Sequence, residues 1–304
     1  MTRKSSIIVS ENALVLGVML FCITGLVVPS VGQEANNDNV VFFTTPGQAK
    51  VMTEDIVVKI VGGGNVPQYF FWVNEEGITN SSSTSPSTTQ ISKDDTKGSE
   101  KSYFVKFQKM FEFEDKNGNG AYDSKDKKVT SSQMTFPSTN WEFTEYEIER
   151  NTAEEVVGVH FNFTHQGSPT ITFSNHVSSS KASELKFDIL IQDYEWTGST
   201  NHLAVEIIIS GGELKNSTGQ MYTFGEGLFE YEPTAESLDG QIKVGSSVSG
   251  NNILYLSYEN FGSHLYHDPT IGISDSHSIG YDLNIVPVAF LSLSIATIIV
   301  NRKK

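Results

Sequence analysis

The sequence predicts an all-β protein: an antiparallel β-sandwich ectodomain between an N-terminal signal peptide and a C-terminal transmembrane helix. Three observations carry this. Apolar and polar residues alternate with a period of two through twelve or more short segments bounded by Gly, Asn or Pro. No helical stripe interrupts them. The only long apolar runs, Ala13 to Val31 and Tyr281 to Val300, stand at the two ends.

Arg3 and Lys4, the apolar stretch Leu14–Val28 and the small residues around Ser30 and Gly32 have the three parts of a secretory signal. Cleavage is expected after Gly32, giving a signal peptide over 1–32; an uncleaved anchor is the other reading. The ectodomain, 33–280, then holds the alternating segments. Ile56–Val61, Gln68–Val73, Tyr103–Phe107, Phe107–Phe113, Lys128–Phe136, Phe143–Ile148, Val156–Phe163 and Thr170–Phe173 come first. Leu185–Ile191, Ala204–Ile209, Met221–Phe224, Leu228–Tyr231, Gln241–Val244 and Ile253–Tyr258 follow. Gly62-Gly63-Gly64 joins two of these with no helix after it, so it is a turn and not a phosphate cradle. The Ser/Thr-rich segment 79–102 is too polar to fold alone and reads as a mobile loop. Residues 175–183 are the candidate sub-boundary if the ectodomain holds two domains. Tyr281–Val300 supplies the roughly 20 residues that cross about 30 Å of hydrocarbon. Arg302, Lys303 and Lys304 in the 301–304 tail place that end in the cytoplasm.

Charge narrows the partners. The whole chain carries 21 Lys and Arg against 36 Asp and Glu. Residues 33–300 keep 16 and 35 of these, a net charge of about −19. Such a surface excludes nucleic acid and favours cations. Cys22, the one cysteine, leaves with the signal, so the ectodomain relies on its core and not on disulfides. Asn80, Asn162 and Asn216 head N-x-S/T sequons, which fit an exported glycoprotein.

The sharpest chemical motif is Asp115-Lys-Asn117-Gly-Asn119-Gly120-Ala121-Tyr122-Asp123-Ser-Lys-Asp126. It resembles EF-hand-type and dockerin-type calcium loops over twelve residues. The resemblance implies Ca2+ held by Asp115, Asn117, Asn119, the Ala121 carbonyl, Asp123 and Asp126, with Gly120 at the sharp turn. Asp126 stands where a bidentate Glu is usual, and both flanks read as strand. The role is therefore structural, and the paired helices of a sensor are missing. A plain acidic hairpin is the competing reading, since Asn117-Gly118 and Asn119-Gly120 are turn signals in their own right.

Other constellations are weaker. His264, His267 and Asp268 fall in what reads as a surface loop, and His160 and His165 flank Asn162. Asp188, Asp193, Glu195 and Glu206, with Tyr194 and Trp196, have the composition of a glycosidase acid/base pair beside a sugar-stacking platform. Glu145, Glu147 and Glu149 alternate on one strand, as solvent-facing residues do. No nucleophile elbow, dinucleotide fingerprint or zinc-protease helix is present. The expected function is a binding or adhesion role at the cell surface, toward a carbohydrate or protein ligand; Trp72, Trp141, Tyr194 and Trp196 are the candidate contact aromatics, with a core position the favoured reading of each. A membrane-anchored glycan-acting hydrolase and a structural cell-envelope subunit are the alternatives.

Overall fold

The computed structural model describes residues 39–45, 47–62, 67–74, 102–136, 141–250 and 252–274. The expected signal peptide, transmembrane helix and tail lie outside them, as do Asn80 and all of the 79–102 segment but Ser102. Among the described residues no helix is long and apolar enough to cross a membrane.

Twenty strands are described. The first seven are β1 (Val41–Thr45), β2 (Gln48–Met52), β3 (Ile56–Val61), β4 (Gln68–Val73), β5 (Tyr103–Glu114), β6 (Lys127–Lys128) and β7 (Met134–Thr135). Next come β8 (Trp141–Arg150), β9 (Val156–His165), β10 (Thr170–Ser178), β11 (Glu184–Gln192), β12 (His202–Ser210), β13 (Leu214–Asn216) and β14 (Met221–Phe224). The last six are β15 (Gly227–Tyr231), β16 (Thr234–Ser237), β17 (Gly240–Ser249), β18 (Ile253–Tyr258), β19 (Leu265–His267) and β20 (Pro269–Ile273). Every pairing among them is antiparallel. Lys128–Phe136, expected as one strand, is instead two short strands around a 3-10 turn at Thr130–Ser132.

The strands form two sheets. The first runs β1-β2-β3-β4-β5-β12-β18-β17, with β6 and β7 also on β5. The second runs β8-β9-β10-β11, then β19 and β20 end to end, then β16 and β15, then β14 and β13. Strand β17 joins the two: Lys243 pairs with Thr234 of β16, and the next residue, Val244, pairs with Tyr258 of β18. Residues 175–183 span a hairpin between neighbouring strands of the second sheet, where His176 pairs with Lys186.

The sheets pack face to face through aromatic rings. Tyr69 stacks on Phe187 at 5.5 Å, Phe107 meets Phe173 at 4.4 Å, and Phe42 meets Phe161 at 5.3 Å. Each of these pairs takes one ring from each sheet, so one hydrophobic core fills the sandwich. Full burial of one such ring stabilises by roughly 1.5–3 kcal/mol.

Strand β5 contains the irregularity that shapes the first sheet. Glu206 lies opposite Lys109 while Ile207 lies opposite Phe107, so Gln108 is an extra, bulged residue. Alternation shifts at that point. Tyr103, Val105, Phe107 and Met110 face the main core, and Phe111 and Phe113 turn to the outer face. Glu112, fully buried, points inward between them.

Candidate functional site

The Asp115–Asp126 loop lies on that outer face. Asp115 accepts the Gly118 and Gly120 N–H groups, each at 2.8 Å, and both glycines adopt positive φ. Asn117 Oδ1 accepts the Asn119 N–H at 3.0 Å, and Asn119 Oδ1 accepts the Ala121 N–H at 2.9 Å. Asp123 Oδ2 takes the amide groups of Asn117 and Asn119 at 2.9 and 3.2 Å. Asp126 closes the ring, accepting the Lys116 N–H at 2.9 Å and the Asp123 N–H at 2.8 Å. The Lys125 backbone N–H, ahead of the two asparagine amides, holds the Asp123 carboxyl below the usual range. At the neck, hydrogen bonds from Lys116 and Lys127 hold Glu114 down at about 2.

Tyr122 anchors this ring to the sandwich. Its side chain packs edge-on against Phe111 at 4.8 Å, Tyr255 at 4.9 Å and Phe113 at 5.3 Å, covering the residues that the β5 bulge turned outward. Its N–H donates to Ser257 Oγ at 2.9 Å, and the Ser247 hydroxyl donates to its carbonyl. Gly245 lets the loop approach: a Cβ there would lie 2.2 Å from the Gly120 carbonyl oxygen. The loop thus brings together five oxygen-bearing side chains, three of them carboxylates, on a turned backbone. That donor set suits a hard cation.

The outer face of the second sheet carries a different chemistry. Cross-strand register aligns Glu147, His160, His176, Lys186, Thr270 and Glu230 in one row across six strands. Glu145, Asn162, Ser174 and Asp188 form the row beside it. Lys186 pairs with Asp268 at 2.6 Å. Burial, followed by the charge of Asp268, pushes the Asp188 carboxyl up to about 6. Asp188 and Asp268 lie within hydrogen-bonding reach of each other beside Tyr266. The Oδ1 atom of each is buried and has no hydrogen-bond partner. Asn162 is on this face, so its sequon points outward. Asn216 is exposed at the end of β13, where its side chain bonds both the N–H and the carbonyl of Gly219.

The candidate contact aromatics belong to the core, the favoured of their two readings. Trp141, Tyr194 and Trp72 are buried, and Trp196 packs on Phe261 at 5.0 Å with its Nε1–H on the Gly262 carbonyl at 2.6 Å. The four carboxylates read as a possible acid/base set are dispersed. Glu206 sits on the outer face of the first sheet, with Lys109 at 2.9 Å and the Tyr255 hydroxyl at 3.0 Å. Asp188 is on the other sheet, and Asp193 occupies a positive-φ turn position. The residues left out of that reading were Asp268, the neighbour of Asp188, and His176, the neighbour of His160. Cross-strand register was the signal that joins each pair.

His264 and His267 do not converge either. His267 belongs to strand β19 and not to a loop. It is 1% exposed, between the Tyr258 hydroxyl on Nδ1 at 2.9 Å and the Glu232 carbonyl on Nε2 at 2.9 Å. The carbonyl only accepts, so Nε2 carries the proton and Nδ1 accepts from Tyr258. Burial pushes this imidazole down to about 4. The unfolded chain then takes up the proton first as pH falls. Stability is fully present above about pH 6.5 and declines toward pH 4, by up to about 3 kcal/mol from this residue. Asp188, raised to about 6, works in the opposite sense over the same window. The His267 contribution is therefore the difference between the native chain and H267Q, and denaturant titrations at pH 7 and 4.5 should show H267Q losing less stability on acidification than the native chain, by about 2 kcal/mol. Equal slopes would refute the assignment.

No protein-family model matches the chain, and no curated protein matches it in sequence. Among solved structures, it is similar to a crystal structure of heparinase III, with a TM-score of 0.33 and 8% sequence identity, over 76% of this chain. The chain spans 38% of the length of that structure, and a likeness so faint assigns it no activity.

Proposed function

We propose that the chain is an exported, single-pass surface protein whose ectodomain binds a carbohydrate or protein ligand on the outer face of its second sheet. In this reading residues 1–32 are the signal, 281–300 the membrane span, and Asn162 and Asn216 are available to glycosylation. The observation that carries the binding role is the polar row Glu147, His160, His176, Lys186, Thr270 and Glu230 across six strands of the outer face, with the Asp188–Asp268 pair beside it. This row and the accessible edge of the Asp268 carboxylate offer donors and acceptors to a ligand bearing hydroxyl or amide groups. Hydrolysis is less favoured. A glycosidase pair stands about 5–9.5 Å apart around the scissile bond, whereas Asp188 and Asp268 are in hydrogen-bonding reach of each other.

The test is an array of glycans and peptides probed with the full-length protein in detergent. The D188N/D268N double variant is expected to lose at least about 10-fold in affinity while melting near the native temperature, since each lost charge-assisted contact is worth about 1.5–3 kcal/mol. Unchanged affinity in that variant would remove this face as the site, and release of reducing sugar by the native chain would favour the hydrolase.

Calcium at Asp115–Asp126 has the role of a clamp that holds Tyr122 over Phe111 and Phe113. With a dissociation constant near 10⁻⁴ M, as extracellular modules show, about 10 mM Ca2+ adds roughly 2.7 kcal/mol. Melting in calcium and in chelator should therefore differ by several degrees, and the difference should vanish in D115A/D123A. A native melting temperature indifferent to calcium would leave the loop as a plain hydrogen-bonded turn.

A further inference from the structure

We propose that Glu149, His160 and His176 form a site for one divalent transition-metal ion of the zinc class, distinct from the oxygen-lined loop. The three residues come from three neighbouring strands, β8, β9 and β10, and their side chains share the outer face of the second sheet. Their ligand atoms all lie within 4.8 Å of one another. Glu149 Oε1 is 2.7 Å from His160 Nε2, and the two imidazole rings are 3.6 Å apart between centroids. Ligand bonds of about 2.0–2.2 Å in a tetrahedral site put donor atoms roughly 3.3 Å apart. Small side-chain rotations on a rigid three-strand platform reach that spacing.

Several further features suit the site to this task. Two histidines and one carboxylate form an established zinc ligand set, leaving the fourth position open to water or to a ligand group. Imidazole selects zinc, copper or nickel over calcium and magnesium, which prefer all-oxygen shells. The cation opposite His176, Lys186, is drawn to Asp268. Most telling is Gly158, directly across from Glu149. A Cβ there would stand 2.3 Å from Glu149 Oε2 and 3.1 Å from its Cδ. The absent side chain is what lets the carboxylate lie across β9 toward His160.

The experiment is calorimetric titration of Zn2+ into the full-length, chelator-stripped protein, with Co2+ absorption reporting ligand geometry. Native protein is expected to bind one equivalent saturably, and Co2+ to give a tetrahedral or five-coordinate spectrum. H160Q and H176Q should each weaken binding by about 10-fold or more. G158V, which keeps all three ligands but displaces Glu149, should weaken it too. D115A/D123A and D188N, which leave the Lys186–Asp268 pair intact, should bind Zn2+ as the native chain does, which separates this site from the calcium loop and from the proposed ligand contacts. Equal binding by an H160Q/H176Q double variant, an octahedral Co2+ spectrum typical of scattered carboxylates, or an equal loss in H264Q would overturn the assignment. Should a histidine variant melt early, G158V and the native Co2+ spectrum decide the matter.

Discussion

Replacing Glu112 by alanine is expected to destabilise the fold by about 3–5 kcal/mol, the summed cost of leaving its buried donors unpaired and of the cavity beside them. Glu112 is fully buried on the inner side of β5. Its Oε1 accepts the Thr197 N–H at 2.8 Å and the Tyr194 hydroxyl at 3.4 Å; its Oε2 accepts the Thr197 hydroxyl and the Asn201 amide, each at 2.6 Å. All the donors come from the connection between β11 and β12. One carboxylate therefore holds that long connection against the sheet, and the Tyr194, Trp196 and Phe261 rings pack beside it. Alanine leaves a cavity together with an orphaned N–H and amide. E112Q preserves volume but presents an NH2 group to donors, so a smaller loss of about 1–3 kcal/mol is expected. Urea midpoints with unchanged slopes would measure both. A loss under about 1 kcal/mol in E112A would mean that water replaces the carboxylate without strain.

Sequence alone made much of this fold legible, and the reasons are specific. In β10, in β11 and over Val159–Phe163 of β9 the side-chain alternation is uninterrupted, so strand identity and inner face follow from Val159, Phe161 and Phe163, then Ile171, Phe173 and Val177, then Leu185, Phe187 and Ile189. The register between β9 and β10 was also recoverable. The Gly167-Ser168-Pro169 turn places His160 and His176 eight residues either side of Ser168, and a tight hairpin sets such residues opposite each other. What stayed hidden depends on contacts remote in sequence. Lys109 breaks the odd-numbered apolar series of β5, but only the pairing with β12 shows that a bulge at Gln108 turns Phe111 and Phe113 outward. Asp268 reaches Asp188 only because β19 and β20 return to β11 from about eighty residues away. The burial of Trp141 and Tyr194 likewise rests on contacts remote in sequence, with Phe173 of β10 and with Phe261 in the connection after β18.

Phe107→Ala should lower stability by about 3–5 kcal/mol and, unlike any change on the outer face, should weaken ligand and metal binding together. Phe107 is fully buried at the centre of the sandwich, with Phe173 at 4.4 Å, Phe187 at 5.5 Å and Tyr69 at 6.2 Å. Phe173 and Phe187 project inward from the strand segments whose outward residues are Ser174, His176, Lys186 and Asp188. The inner ring contacts thus fix the spacing on which the outer polar rows depend, because one strand carries both sets on opposite faces. Removing the ring loses apolar contact and leaves a cavity that a close-packed core fills only in part. The lining strands β10 and β11 then move relative to β5, and His176 and Asp188 move with them. Phe107→Leu, which refills most of the volume, should recover most of both stability and binding. Full binding by a Phe107→Ala protein that has lost the expected stability would show that the two faces of the second sheet are uncoupled, and that the outer rows are held by their own cross-strand bonds.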